Sequence, residues 1–556
     1  MHLKMKKKSK WILIISIPII ILAVSAKLMA TYWLGEMQYR HFHLKPGNIE
    51  IPHERTIAWK TESAFADSVY HAWAGKPIAD NKLSGKNDIP RILLAKLLLK
   101  QDIPKVNETI MKLKAWGNTG SSWALNKKGD YDFSLTILTT ILWFNGDNAE
   151  LLYPETKNYL LNTLLTEDGG KFRYTAPRTL GLVAETENHV LMTEGSRYLK
   201  NRWLMLHGDK DALYDNIQNE MEDKILTFLG TMKTNGLYEF NSLPYTGYTI
   251  TALLNLEAFA SDKVKKEARD VLDYMNWCYA LGSYQLKHYP PMRRRYDKAY
   301  VTELTTDYHS IFMKSWLSFS PVDNYNKNIE KGSLHALIGC CMPYRPQDKV
   351  VEMEFYKGNG YFVKLGHGPD ACPEIYAAGK HFLLSAGGAN RGERSLIVAR
   401  PITLFLDDTV ENLSETIHLA GPGNDYLKWN NTGVYKNFAC AAGPVFIPSS
   451  FIPVATKDNW SVFVMKDSVS VIVFSTGKLG LIAIFEGIQT LGLLDEILKA
   501  NPDNDKLQNQ FQFPGGRKIS YNVNAPLNKW VITSENDSLL DRYFDKWPLI
   551  EGGFRN

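Results

Sequence analysis

"VVEMEFYKGNGYFVKLG" (Val350–Gly366) is where the hydrophobic rhythm of the chain changes. Upstream of it, apolar residues recur at a spacing of three and four, the period of a helix packed on one face. From here on, short runs rich in Val, Ile and Phe alternate with Gly, Asn and Asp, the pattern of strands and tight turns. The change divides the 556 residues into a helical part and a β part.

The helical part is read in "RILLAKLLLKQ" (91–101), "FSLTILTTILWF" (133–144), "ETKNYLLNTLLT" (155–166), 187–206, "YDNIQNEMEDKILTFLGTM" (214–232), "YTITALLNLEAFA" (248–260) and "KVKKEARDVLDYMNWCYALG" (263–282). Turns rich in Gly, Asn and Asp separate them. Successive helical hairpins of this kind predict an (α/α) toroid over residues 50–340. The strand-like runs "HFLLSAGG" (381–388), "SLIVARPITLFLDD" (395–408), "WSVFVMKDSVSVIVFS" (460–475) and "LGLIAIFEG" (479–487) predict an antiparallel β-sandwich over 345–550. The fold class expected is therefore α+β and multidomain.

Five lysines in the first ten residues precede the apolar run "WILIISIPIIILAVSA" (11–26). This order reads as an export leader over residues 1–30, either cleaved after Val24-Ser25-Ala26 or kept as a membrane anchor. The body of the protein is then expected outside the cytoplasm, whether periplasmic, extracellular or anchored. Residues 1–26, with five lysines and no acid, carry all of the formal charge: +5 minus these five leaves a balanced remainder. The slightly basic pI therefore gives no sign of a nucleic-acid partner, and none is expected. The odd set Cys278, Cys340, Cys341, Cys372 and Cys440 makes no zinc pattern. It is expected to give core thiols and at most one bridge. Sequons stand at Asn107, Asn412, Asn430, Asn459 and Asn536. No HExxH, GxSxG or phosphate-loop motif is present, and no cofactor or metal is expected.

"GLVAETENHVLMTEGSRYLKNRWLML" (181–206) places Thr186 as the cap of an amphipathic helix, with Glu187, Asn188 and His189 in its first turn. Unpaired N–H groups and the positive end of the helix dipole favour an anion there and a neutral imidazole. Farther along, "LYEFNSLPYTGYTITALLNLEAFA" (237–260) reads as a helix beginning near Ser242, with Tyr245 and Tyr248 at its entry. An Asn-His pair opening a helix, a Tyr in a following hairpin and a helical half before a β half resemble the polysaccharide lyases with a toroid and a β-sandwich. The alginate-lyase-like and heparinase II/III-like proteins are the nearest comparison. "GYFVKLGHGPDACPEIYAAGKHFLLSAGGANRG" (360–392) is similar to the start of the heparinase II/III-like β domain. Its turn, His367-Gly368-Pro369-Asp370, lacks the further His of that family's structural zinc site, since "ERSLIVARPITLFLDD" has none.

The resemblance implies β-elimination of a uronate-containing glycan, with an anionic polysaccharide or oligosaccharide as partner. That chemistry needs a neutraliser for the sugar carboxylate, a base for the α proton and an acid for the leaving oxygen. Asn188 suits the neutraliser and His189 a base or second neutraliser. Tyr245 suits the acid, or both acid and base, with Tyr248 as its rival. The run "LKHYPPMRRRYDK" (286–298) offers Lys287, His288, Arg293, Arg294 and Arg295 to bind substrate or to lower the phenol's pKa, unless it is a solvated basic loop. Glu187 and Glu194 read as supports, Glu185 as solvent-facing. His367 and Tyr376 read either as structural or as facing the cleft from the β side. The alternatives are a glycoside hydrolase on a similar toroid, with Asp130 and Asp132 as the best carboxylates, and an inactive glycan-binding surface protein.

Overall fold

The computed structural model describes residues 7–34, 56–78, 88–115, 129–176, 185–294, 301–322, 325, 331–367, 372–390, 397–419, 421, 429–466, 469–487, 492–540 and 549–552. Among these, fourteen α-helices come mostly before the strands, an α+β layout with the helices N-terminal and antiparallel sheets C-terminal. In chain order the helices are α1 (Lys7–Leu34), α2 (Ala64–Ala74), α3 (Ile89–Leu98), α4 (Ile103–Lys112), α5 (Asp132–Asn145), α6 (Pro154–Tyr159), α7 (Glu187–Leu206), α8 (Met221–Asn235), α9 (Thr246–Phe259), α10 (Asp262–Gly282), α11 (Tyr308–Leu317), α12 (Leu334–Cys341), α13 (Asp348–Phe355) and α14 (Leu493–Ala500). The expected change of period falls later than the sequence rhythm suggested. Residues 348–355 are helical, and the first strand of the large sheet starts at Tyr361, after the Gly358–Gly360 turn.

The chain divides into two compact units. The first holds residues 1–42, 76–228 and 259–264. Ile14, Ile15, Ile17, Ile19, Ile20, Ile21, Leu22 and Val24 of α1 are all exposed. Among the described residues, no helix is long and apolar enough to cross a membrane. The centre of this unit is α5, which packs on α3 and α7 and is buried from Asp132 to Leu142. Threonines are poor helix formers, yet three of them lie in this buried stretch. Their hydroxyls are satisfied locally: Thr136, Thr139 and Thr140 donate to the carbonyls of Asp132, Leu135 and Thr136 at 2.8, 2.9 and 3.1 Å. Gly146 ends α5, where a Cβ would lie 2.7 Å from the Trp203 ring of α7, so the two helices approach as closely as a glycine permits.

The second unit holds residues 43–75, 229–258 and 265–556. Its helical portion packs α11 on α12 and α12 on α2. Its largest sheet has seven strands, in the order Val445–Phe446, His418–Leu419, Ile402–Leu406, Phe382–Gly387, Cys372–Ala378, Tyr361–His367 and Leu549–Gly552. A six-stranded sheet runs Val434–Tyr435, Phe438–Ala441, Gly480–Glu486, Val469–Ser475, Trp460–Val464 and Ala455–Lys457. Both feed one apolar cluster, with Phe362, Ile375 and Leu404 from the first and Phe438, Ile472 and Ile482 from the second. Cys278, Cys340, Cys341 and Cys440 are free thiols, so none of these four forms the bridge that the sequence left open. Asn107 and Asn430 are buried, and each donates its side-chain nitrogen to two carbonyls, which rules out a glycan at either.

A buried polar chain runs through the helical portion of the second unit. Asp307 caps α11 through the Ser310 N–H at 2.6 Å and holds His288 Nδ1 at 2.6 Å. Tyr279 bonds Ser310 at 2.7 Å and stacks on His309. His309 Nε2 donates to Asn276 at 2.8 Å, Asn276 donates to the Tyr344 hydroxyl at 2.9 Å, and that hydroxyl donates to Asp273 at 2.6 Å. Burial pulls the pKa of His309 down from 6.5 to about 3, against the pull of Asp307. The unfolded chain therefore binds a proton between these values that the folded chain does not, so stability falls as pH drops below about 6.5. Urea melts at pH 6.5 and 5 are expected to show a His309 contribution of about 2 kcal/mol. The slope should be correspondingly shallower in His309→Gln; equal slopes in both proteins contradict the assignment.

Candidate functional site

Thr186 caps α7 in extended conformation, but its hydroxyl turns to Asn188 Oδ1 instead of a backbone N–H. The same oxygen accepts the N–H of His189 at 2.8 Å. A backbone N–H can bond only the amide's oxygen, so this contact fixes which way the Asn188 side chain points. Among the described residues, its Nδ2 is left buried with no hydrogen bond. An unmet donor of this kind costs about 1–3 kcal/mol, a penalty that a bound acceptor removes.

His189 follows, 8% exposed, with the edge of Phe133 against its ring. Its Nδ1 lies 2.6 Å from Oδ2 of Asp132, the first residue of α5. The other Asp132 oxygen is buried without a hydrogen bond. Asp130, half-buried, stands nearby, and Asp130, Asp132 and His189 each offer a ligand atom within 4.8 Å of the others. The imidazole at this helix start is not neutral, contrary to the expectation from the helix dipole. Burial pulls the pKa of His189 down, but the carboxylates of Asp132, Glu185 and Asp130 outweigh it and push it up to about 10. Glu185 is buried, not solvent-facing, and Glu187 is buried as well.

Beyond its first turn α7 is not amphipathic, because nearly every residue to Asn201 is buried. Its polar groups tie down the 165–169 segment. Arg197 binds Glu194 at 2.9 Å, Glu167 at 2.5 Å and the carbonyl of Asp168. Lys200 donates to the Leu165 carbonyl at 2.8 Å, and Asn201 accepts the Gly169 N–H at 2.9 Å. Glu194 thus supports an arginine, one of the two roles expected of it. Burial outweighs Arg197 and pushes the Glu194 carboxyl up to about 7.

The second unit carries the other expected residues. Tyr245 is half-buried directly before α9, which starts at Thr246 and not near Ser242. The guanidinium of Arg294 lies 5.3 Å from the Tyr245 ring centre and pairs with Glu239 at 2.9 Å. Tyr248 is buried, with its ring against His335 and Tyr308, so it packs rather than competes with Tyr245. The basic run is not a solvated loop. Arg293 is buried 4.3 Å from the Tyr238 ring centre, Lys287 donates to the Leu406 carbonyl at 2.6 Å, and His288 is held by Asp307. Arg295 lies outside the described residues. Of the described part of the run, Arg294 is the cation placed beside a candidate acid.

His367 is buried, with its Nε2 on Glu374, and stacks on Phe240 with ring centres 4.4 Å apart. Tyr376 donates to Glu374, and so does Asn241, at 2.6 Å. These contacts make His367 and Tyr376 structural: Glu374 gathers three donors and holds the Phe240–Asn241 segment. The remainder of the His367 turn, 368–370, lies outside the described residues. Asp132 and Glu374 are the residues whose roles sequence reasoning missed. Asp132 appeared only as one of two hydrolase carboxylates, and its position at a helix start was the available signal. Glu374 left a weaker one, a carboxylate in an otherwise apolar strand.

No family model matches the chain, and no curated protein or solved structure does either.

Gly236 sits at φ +69°, where a Cβ would fall 2.6 Å from His367 Nδ1. Gly236→Ala is expected to cost about 1–3 kcal/mol in a urea melt, from the left-handed backbone and the displaced imidazole. A change under about 0.5 kcal/mol contradicts the seating of this segment on His367.

Proposed function

We propose that the protein is an exported polysaccharide lyase that cleaves a uronate-containing glycan by β-elimination. The observation that carries the reading is the Asn188 amide, a neutral donor held buried and unmet at the positive end of a helix. A sugar carboxylate matches it in charge and geometry. The α proton of an ionised uronate is weakly acidic, and donors to the carboxylate stabilise the enolate-like intermediate as charge moves onto it. Asn188 supplies one such donor. His189, bound through Nδ1 to Asp132, keeps Nε2 for a ligand and acts as the second neutraliser rather than the base. The resemblance alone assigns proton abstraction and leaving-group protonation to Tyr245, beside whose ring the Arg294 guanidinium stands. In the same reading the helices have the toroid order of those lyases and the strands their sandwich order. The apolar α1 then serves as the export leader or anchor.

A two-carboxylate hydrolase fits less well. Asp130 and Asp132 have ligand atoms within 4.8 Å of each other, closer than the roughly 5–9.5 Å that glycosidase pairs use.

The test is a panel of alginate, heparan sulfate, chondroitin, hyaluronan and pectin, followed by the ultraviolet absorbance of an unsaturated uronate. At least one polymer is expected to give it, and Asn188→Ala and Tyr245→Phe should each lower kcat by about 10²-fold or more, Tyr245→Phe with little change in melting temperature. Reducing ends without absorbance would instead mark a hydrolase, and binding without either product an inactive glycan-binding protein.

A further inference from the structure

We propose that Asp130, Asp132 and His189 form a binding site for one divalent transition ion, of the Zn²⁺ or Mn²⁺ type. Three observations converge on it. The three side chains bring one ligand atom each to within 4.8 Å of the others, two from helix starts and one from two positions before α5. Asp132 is fully buried, yet its Oδ1 has no hydrogen bond. A carboxylate oxygen stripped of water and left without a donor calls for a cation. Asp130, the half-buried member, gives an ion a way in from solvent.

The donor set selects the ion. One imidazole and two carboxylates suit Zn²⁺, Mn²⁺ or Fe²⁺, whereas Mg²⁺ and Ca²⁺ favour all-oxygen shells. Ligand atoms around a tetrahedral Zn²⁺ stand about 3.3 Å apart, from bonds of about 2.0–2.2 Å. The present His189 Nδ1 to Asp132 Oδ2 separation of 2.6 Å therefore opens by less than an ångström when the ion enters, and the Asp130 carboxylate moves in to meet it. The ion replaces the proton shared by Nδ1 and Asp132. Nε2 keeps its side of the ring for a ligand, and the fourth coordination position stays open to water or to a substrate oxygen. The site is built from residues of the first unit and uses none of the His367 turn, where the lyases that the sequence resembles place a structural zinc. It does not depend on the lyase reading, because binding is measured without substrate.

The full chain, stripped with chelator and dialysed, is titrated with Zn²⁺ by calorimetry and with Co²⁺ by visible absorption. One ion per chain is expected, with Co²⁺ bands of low-coordinate intensity. Asp130→Asn should weaken Zn²⁺ binding at least about tenfold and alter the Co²⁺ spectrum. His189→Gln serves as a second variant, its fold checked by circular dichroism. His207→Gln removes an exposed His–Asp pair at the opposite end of α7 (His207 with Asp147, 2.7 Å) and should leave binding unchanged. The proposal is overturned by the lack of saturable uptake, or by uptake that Asp130→Asn leaves intact or His207→Gln abolishes.

Discussion

The contact between the His189 imidazole and the Asp132 carboxylate joins the first turns of two buried helices, and the candidate site is built around it. Both partners are nearly or fully buried. In such surroundings each charge is expensive alone, and removing either one typically costs about 3–5 kcal/mol. The dipole at the start of α7 opposes a charged imidazole by roughly 0.3–1 kcal/mol, well below what a carboxylate at 2.6 Å contributes once water is excluded. The larger effect wins, and the imidazole holds its proton to about pH 10. At the same helix start Asn188 keeps an amide donor that no described residue satisfies. A cationic ring and an unmet neutral donor in consecutive positions make a place for an anion.

Rigidity behind that place comes from polar groups inside the unit. Arg197, Lys200 and Asn201 bond the 165–169 segment, and the threonines of α5 donate to carbonyls of their own helix. In the second unit Glu374 does similar work, drawing His367, Tyr376 and Asn241 to one carboxylate. The consequence is that several residues with catalytic side chains are committed to architecture. Tyr245 and Arg294 stand apart from them, half-buried and adjacent.

The division into helices followed by strands was legible because apolar spacing reports which face of an element is buried. Its boundary was not, since Val350, Val351 and Met353 suit a strand as well as the short helix α13 that they form. Asn188 and His189 were legible as a pair because a polar cluster at a helix start invites explanation. The partner of His189 was not, since Asp132 lies far back in the chain and its nearness depends on how α5 packs against α7. Period analysis also misread α7 itself: a helix buried on every side satisfies its polar residues with long-range bonds that leave no periodic trace. The basic run 287–294 failed for the same reason, with Lys287, His288 and Arg293 each buried against a partner distant in sequence or covered by an aromatic ring.

The most direct test is a crystal structure of the Tyr245→Phe variant soaked with a uronate oligosaccharide. The account places a sugar carboxylate oxygen about 3 Å from Asn188 Nδ2, with His189 Nε2 on the same group. An oligosaccharide bound elsewhere, with that amide still unmet, would contradict it.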